Sequence, residues 1–165
     1  KDNSIAIVAY DKTKKVVYFI ENKHFFQTAH LWDNYTQLFG KEKSDINSAM
    51  SNAGALFLMS DYSYSSNGSD YYSVSGNNYT EMVGFVFNPD NQMSEFWVYI
   101  KSYSVIETIY DNLRSLYEEA KTENTDKTHV FYNKDKTLKI VLDLGNFAVV
   151  YNNQAMKQHV HDTSI

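Results

Sequence analysis

Few residues of this sequence have the type and spacing that metal or acid–base chemistry requires. His159 and His161 are two residues apart, which would place both imidazoles on one face of a strand, and imidazole is a ligand for Zn²⁺, Cu²⁺ or Ni²⁺. A polar C-terminal tail is the simpler interpretation of this pair. His24, His30 and Asp33 could supply a general acid and base, but His30 and Asp33 have the i,i+3 spacing of an ordinary solvated helix pair. We therefore predict no metal ion and no other cofactor.

The absence of cysteine removes several further kinds of chemistry. Without a thiol the described sequence can form no disulfide, no cysteine–zinc site and no cysteine nucleophile. The sequence also contains no glycine-rich phosphate loop, no nucleophile elbow and no HExxH motif. An enzyme whose histidine and carboxylate groups meet only in the folded chain is kept as an alternative.

Recognition chemistry is concentrated in a tyrosine- and serine-rich segment, residues 61–78. A tyrosine ring offers a large contact area at small entropy cost together with a hydroxyl, and natural binding loops are rich in Tyr, Ser, Gly and Asn. Asn67-Gly68 favours a type I′ turn between a strand that begins at Leu56 and a return strand over residues 69–75. The structural alternative is a solvent-facing strand pair in which these residue types are common. The predicted ligand-binding residues are Tyr62, Tyr64, Asn67, Tyr71, Tyr72 and Tyr79.

Alternating β-branched and aromatic residues predict the strands around this segment. Proline in Asn88-Pro89-Asp90-Asn91 presets φ for a tight turn between two of them, and Gly145-Asn146 favours another turn. The predicted strands are residues 5–10, 16–20, 83–87, 96–100, 130–132, 138–144 and 147–151.

Two helices are predicted from apolar residues at helical spacing. The first spans about residues 28–39 and ends at Gly40, where a C-terminal cap is expected. The second begins at a capping-box pair, Ser104 and Glu107. Residues 41–54 are polar and poorly periodic, and no element is predicted there. The apolar face of the second helix comprises Ile106, Ile109, Leu113, Leu116 and Ala120.

The order of these elements suggests an internal duplication. Hairpin, helix and hairpin are followed by hairpin, helix and meander, and the separation of Asn67 from Gly145, 78 residues, superposes the two series. That offset places Tyr62 and Tyr64 at the positions of Ile140 and Leu142, which pair with Tyr151 and Val149 on a core face. The exchange of a core face for tyrosine indicates a recognition surface. An unrelated α+β meander is the alternative interpretation.

The predicted fold class is α+β, an antiparallel sheet with two helices packed on one face and a tandem duplication of a ββαββ-type unit. Residues 1–151 are expected to form one domain, with half-repeats at about 5–75 and 83–151. Residues 152–165 are expected to form a loose tail.

Composition limits the partners. A net charge of −5 with only 15 Lys and Arg provides no basic stripe for nucleic acid, and no apolar run reaches the length of a membrane span. Fourteen tyrosines and abundant Asn and Ser are typical of secreted or bacterial cell-envelope proteins, in which a lipoprotein anchor would lie upstream of Lys1. We expect a non-enzymatic binding module that recognises a protein or glycan. A second alternative is an assembly or inhibitor protein that pairs through a sheet edge.

Overall fold

A computed structural model describes the backbone at residues 5–10, 16–21, 33–74 and 79–158, and side chains from residue 35 onward within these ranges. β1 (Ile5–Tyr10) and β2 (Val16–Glu21) form an antiparallel two-stranded sheet in which Ile5 lies opposite Glu21. The first predicted hairpin is therefore confirmed in its strands. No helix within the described ranges is long and apolar enough to span a bilayer.

The main body is an eight-stranded antiparallel sheet. Its strand order is β3-β4-β5-β6-β10-β9-β8-β7, so two consecutive four-stranded meanders meet where β6 pairs with β10. The hairpin around Asn88-Pro89-Asp90-Asn91 and the final meander are confirmed, including the predicted pairing of Ile140 with Tyr151 and Leu142 with Val149. The strands are β3 (Leu56–Asp61), β4 (Ser69–Ser73), β5 (Thr80–Phe87), β6 (Met93–Ile100), β7 (Glu118–Glu119), β8 (Thr128–Tyr132), β9 (Leu138–Asp143) and β10 (Ala148–Asn153).

The described helices are α1 (Asp33–Thr36), α2 (Lys43–Asn52) and α3 (Ile106–Leu116). The first predicted helix is corrected at its end, because helical structure stops at Thr36 and the chain turns before Gly40; residues 28–32 lie outside the described part. Helix α2 was not predicted from the sequence. It buries only the i,i+4 pair Ile46 and Met50, which is too few apolar positions to produce a visible period.

Helix α3 confirms the second predicted helix but not its capping box. A 3₁₀ turn at Tyr103–Val105 precedes the helix, so Val105 is the N-cap residue and Ser104 makes no cap hydrogen bond. Ile109 and Leu113 are buried, whereas Leu116 is 43% exposed and Ala120 lies beyond the helix end. The predicted apolar face is thus shorter in the structure: Ile106 is partly buried against the core, and the face ends before Leu116.

The core lies between the helices and one face of the sheet. A row of large side chains crosses five strands, since Phe85 pairs with Phe96, Phe96 with Tyr151, Tyr151 with Ile140, and Ile140 with Phe131. Residues of α2 and α3 belong to the same buried cluster as this row. The two helices therefore pack on one face, which is the two-layer α+β arrangement.

The duplication with an offset of 78 residues is not confirmed. That offset would superpose β3–β4 on β9–β10, but β3 is at the edge of the sheet whereas β9 and β10 lie inside it. Their connections also differ, a loop at residues 62–68 against a turn at residues 144–147. The order of strands is instead symmetric about the β6–β10 pair, and each four-stranded meander follows one helix, α2 or α3.

The predicted loose tail starts later than residue 152. Strand β10 extends to Asn153, and Asn88 Nδ2 donates a hydrogen bond to the carbonyl oxygen of Lys157 at 2.8 Å. The backbone nitrogen of Gln154 donates to the carbonyl oxygen of Thr137 at 2.8 Å, and Lys157 Nζ is 3.5 Å from Asp90 Oδ1. Residues 159–165, with the candidate metal ligands His159 and His161, lie outside the described residues.

Replacement of Leu113 by alanine should destabilise the protein by about 2–5 kcal/mol, because the side chain is buried between α3 and the sheet and its removal leaves a cavity. The matched control is Leu116→Ala on the same helix, whose side chain is 43% exposed and whose loss should cost about 0.5 kcal/mol or less. Denaturant unfolding midpoints measure both. Equal costs for the two variants would show that α3 does not pack as described.

Candidate functional site

The face of the sheet opposite the helices carries the side chains best placed for recognition. Tyr71 lies opposite Gly84, Gly84 opposite Trp97, and Trp97 opposite Val150, so these residues form one row across four strands. Neighbouring residues along the same strands, such as Tyr72, point to the helix side and are buried in the core. We refer to the surface with Tyr71 and Trp97 as the helix-free face.

Four aromatic side chains form a connected group on the helix-free face. Trp97 and Tyr99, two residues apart on β6, stack with ring centroids 6.1 Å apart at an interplanar angle of 29°. Tyr64 meets the Trp97 ring edge-on at 5.8 Å, and Tyr71 contacts Tyr99 at 6.2 Å. All four rings are partly buried. We call Tyr64, Tyr71, Trp97 and Tyr99 the aromatic row.

Gly84 allows the Tyr71 ring to lie directly on the backbone of β5. A Cβ atom added at Gly84 would be 2.7 Å from Tyr71 Cε1, closer than real carbon atoms approach. Glycine at this strand position therefore provides the space in which the ring is seated, a common reason for glycine inside a sheet. The position of Tyr71 in the aromatic row depends on that space.

A buried carboxylate fixes the other end of the aromatic row. Glu95 is 4% exposed, and its two oxygens accept hydrogen bonds from Trp97 Nε1 at 2.5 Å and Asn152 Nδ2 at 2.9 Å. Burial, the negative charge of Glu95 and a hydrogen bond to Glu95 all raise the pKa of Tyr64. Burial and contact with Tyr71 likewise raise the pKa of Tyr99. Both phenols are thus protonated at neutral pH, and both hydroxyls already take part in hydrogen bonds, Tyr64 with Glu95 and Tyr99 with Tyr71.

Beside the aromatic row, β3 exposes three apolar side chains on the same face. Leu56 pairs with Ser73 and Met59 with Tyr71, and a register shift between Phe57 and Met59 leaves Leu58 as an extra residue. We call Leu56, Leu58 and Met59 the apolar ledge; their exposed fractions are 69%, 50% and 53%. Leu58 lines a shallow cavity of about 390 Å³ whose other lining residues include Ser73, Met82, Tyr99 and Phe147.

The structure brings Tyr64 and Tyr71 of the predicted site into this surface. Tyr62 is exposed, but its ring lies against Gly68 with Lys43 Nζ of α2 5.0 Å from the ring centroid, so it lies toward the helix side of the sheet. The predicted type I′ turn is wrong: residues 62–68 form a longer loop, and positive φ occurs at Gly68 but not at Asn67. Tyr62 and Tyr64 therefore lie in a loop rather than on a strand paired with residues 69–75.

The other predicted residues, Asn67, Tyr72 and Tyr79, make contacts within the fold. Asn67 Nδ2 donates to the carbonyl oxygen of Asn88 at 2.6 Å, which ties the loop to the end of β5. Tyr72 and Tyr79 are almost completely buried, and burial raises the pKa of Tyr72 to about 12. In this structure neither ring reaches the helix-free face. Tyr72 and its neighbour Tyr71 differ in orientation because successive residues of a strand point to opposite faces.

The sequence interpretation missed Trp97, Tyr99 and the apolar ledge. A signal for the first two was present in β6, where Glu95, Trp97 and Tyr99 alternate with the fully apolar Phe96 and Val98. That alternation separates a core face from a second face bearing rings and polar groups. No comparable signal existed for the ledge, because Leu56-Phe57-Leu58-Met59 is a continuous apolar run whose exposure depends on β3 being an edge strand.

The expected acid–base residues are not brought together in the described part of the chain. His24 and His30 lie outside it, as does the side chain of Asp33. A different histidine–carboxylate pair occurs at the β7–β8 edge, where His129 Nδ1 is 3.3 Å from Glu119 Oε1. Glu119 also accepts hydrogen bonds from the Tyr110 hydroxyl at 3.1 Å and from Asn124 Nδ2 at 2.8 Å.

The hydrogen bonds around Glu119 stabilise the loop between β7 and β8. Asn124 Oδ1 accepts a hydrogen bond from the backbone nitrogen of Val130 at 2.8 Å, so the network closes the loop between β7 and β8. Burial would raise the pKa of Glu119, but hydrogen bonds from Asn124, His129 and Tyr110 outweigh it and lower the pKa. Within the described ranges no group of three or more His, Asp or Glu side chains could hold a metal ion.

No family model, curated protein or solved structure matches this chain.

A double-mutant cycle tests the seating of Tyr71 on Gly84. Gly84→Ala should cost about 1–3 kcal/mol of stability, because the added methyl group displaces the ring. In a Tyr71→Ser background the same change should be nearly neutral, since the space above the new methyl group is empty and alanine lowers the entropy of the unfolded chain. Chemical denaturation of wild type, the two single variants and the double variant gives the coupling energy between positions 71 and 84. An equal cost in both backgrounds would contradict the described contact.

The Glu119 network predicts a specific pH dependence. Its pKa is lowered in the folded protein, so its contribution to stability is fully present above the ordinary value of 4.5 and is lost as pH falls through the folded-state pKa. The stability difference between wild type and Glu119→Gln should therefore be largest at neutral pH and shrink below about pH 4.5. Glu118→Gln, at an exposed neighbouring position, is the control and should differ from wild type by about 0.5 kcal/mol or less. A pH-independent difference for Glu119→Gln would rule out this electrostatic contribution.

Proposed function

We propose that this protein is a non-enzymatic binding module that recognises another protein through the helix-free face. One observation supports this most directly: three apolar side chains that are at least half exposed adjoin a partly buried row of four aromatic rings and a cavity of about 390 Å³. Scattered exposed apolar residues are normal on protein surfaces, but a contiguous patch is a feature of interaction sites.

The chemistry of the surface favours a protein over a glycan. Glycan recognition combines ring stacking with hydrogen bonds from polar side chains to sugar hydroxyls. The carboxylate nearest the rings, Glu95, is 4% exposed and already accepts hydrogen bonds from Trp97 and Asn152. Leu56, Leu58 and Met59 offer no polar atom in their side chains beyond a thioether sulfur. An apolar partner surface is what such a ledge accommodates.

The free energy gained by covering this apolar surface fits a protein interface of modest size. Covering on the order of 300 Å² of apolar surface contributes several kcal/mol at about 25 cal/mol per Å², before the cost of association is subtracted. The aromatic row is held in place by Gly84 and Glu95, so little side-chain entropy remains to be lost on binding. Tyrosine and tryptophan are also the residue types enriched at binding hot spots.

An enzyme is the less favoured function. The Glu119–His129 pair lies near a cavity of about 300 Å³ that is lined by Glu119, Tyr132 and Lys136 among others, but His129 is not among its lining residues. The oxygens of Glu119 are already engaged by Tyr110 of α3, Asn124 of the loop and His129 of β8. A secreted or cell-envelope location for the module rests on composition alone, with fourteen tyrosines and abundant Asn and Ser.

Selection from a phage-displayed library of random peptides on the immobilised protein tests the proposal. Peptides that are enriched should bind Leu58→Ser and Met59→Ser at least tenfold more weakly than wild type, about 1.4 kcal/mol, because the apolar ledge is part of the contact. The matched control is Leu116→Ser, which alters an apolar side chain that is similarly exposed, but on α3. Enriched peptides that bind all three variants equally would place recognition elsewhere and refute the proposal.

A further inference from the structure

The two edges of the eight-stranded sheet differ in a way that points to function. At one edge, β7 consists of two residues, Glu118 and Glu119, which is a short and charged edge of the kind that prevents unwanted strand pairing. At the other edge, β3 has six residues, and its first four are Leu56-Phe57-Leu58-Met59. Each of these four side chains is at least half exposed. The protections seen at β7, shortness and charge, are missing from this part of β3.

The β3 edge is flanked by a cavity on each face of the sheet. On the helix-free face, Leu58 lines the cavity of about 390 Å³ with Ser73, Met82 and Tyr99. On the helix face, Phe57 lines a second cavity of about 340 Å³ with Lys43, Asn47, Asp70 and Tyr72. The side chains of a strand placed alongside β3 would alternate between these two faces. The first cavity is mostly apolar in its lining residues, whereas the second contains an ion pair, Lys43 with Asp70 at 3.3 Å.

We infer that β3 accepts an extended segment of a partner protein as an additional strand. This inference rests on the proposed function and specifies its geometry. Main-chain hydrogen bonds to β3 would supply affinity, and the two cavities would select the side chains. The segment that fits has apolar residues at the positions facing the helix-free face and small polar residues at the alternate positions facing Lys43 and Asn47.

The charges around the edge specify the ends of this segment. Asp61 ends β3, and hydrogen bonds from Ser63 lower the pKa of its carboxyl, so it is ionised at neutral pH. Glu81 lines the cavity at the other end of the ledge. Lysine or arginine at both ends of the incoming strand would face these carboxylates.

A second copy of this chain fits the edge less well than such a segment. In an antiparallel pair of two β3 strands, Phe57 of one copy would face the polar cavity that contains Lys43 and Asp70. Each copy also carries a net charge of −5 and the same acidic residues, Asp61 and Glu81, around the edge. Like charges disfavour that association.

The test uses the full chain and the synthetic peptide Lys-Thr-Val-Thr-Val-Thr-Val-Thr-Lys, labelled for fluorescence anisotropy. It should bind wild type and Leu116→Ser equally and bind Met59→Ser at least tenfold more weakly. A peptide of the same side chains with methylated backbone nitrogens should also bind at least tenfold more weakly, because it cannot donate hydrogen bonds to β3. Replacing both lysines of the peptide by glutamate should weaken binding as well. Hydrogen exchange at those amides of Leu56–Met59 that do not donate to β4 should slow when the unmethylated peptide is added.

The outcomes separate this inference from the proposed function. If library peptides require the apolar ledge but the methylated and unmethylated peptides bind equally, or neither binds, strand addition is overturned while recognition by the helix-free face stands. If the β3 amides that do not donate to β4 are already protected in the free protein, the edge is occupied by the chain itself or by a second copy. Sedimentation at several concentrations tells these two cases apart, and either one overturns the inference. If no library peptide depends on the ledge, both proposals fail.

Discussion

The pairing of β6 with β10 is the contact on which the rest of the structure depends. It joins two four-stranded meanders into one sheet, and it places Phe96 opposite Tyr151 with their rings stacked at a centroid distance of 4.6 Å. Phe96 also touches Tyr35 and Phe85, so the core under both halves meets at this residue. Buried residues of α2 and α3 both belong to the single cluster that this strand pair joins. The central pair therefore determines where the helices pack and which face is left without them.

The same strand that carries the centre of the core also carries the centre of the candidate site. Because side chains alternate along β6, the sequence that sends Phe96 and Val98 into the core sends Glu95, Trp97 and Tyr99 to the helix-free face. Trp97 and Tyr99 are consequently attached to a strand that is paired on both sides, with β5 and with β10. A recognition surface on such a strand is rigid, and rigidity lowers the entropy cost of binding.

The exposed apolar side chains of β3 carry an aggregation risk that the opposite edge of the sheet avoids. The opposite edge is short and acidic, and most large apolar side chains of the described residues are buried in one cluster. A β-bulge at Leu58 turns an additional apolar side chain toward the helix-free face. An uncovered apolar edge favours aggregation, so its presence beside an aromatic row is best explained by a partner that covers it.

Sequence patterns by themselves determined the elements whose signals are local. Proline in the turn after Asn88, alternation in the final meander and the apolar period of α3 each depend on neighbouring residues, and each element forms where these signals indicate. Only the tertiary structure decided how those elements combine. Helix α2 exists because Ile46 and Met50 dock onto the sheet, and the edge position of β3 follows from the β6–β10 pairing, which joins residues some fifty positions apart. The same division applies to the candidate site. Tyrosines near residue 67 were visible in the sequence, but only the structure shows that Tyr62 and Tyr64 lie in a loop and that Tyr72 and Tyr79 are packed into the core. Which side of a strand faces the core is a property of long-range packing, and no local pattern in a mixed tyrosine and serine segment specifies it.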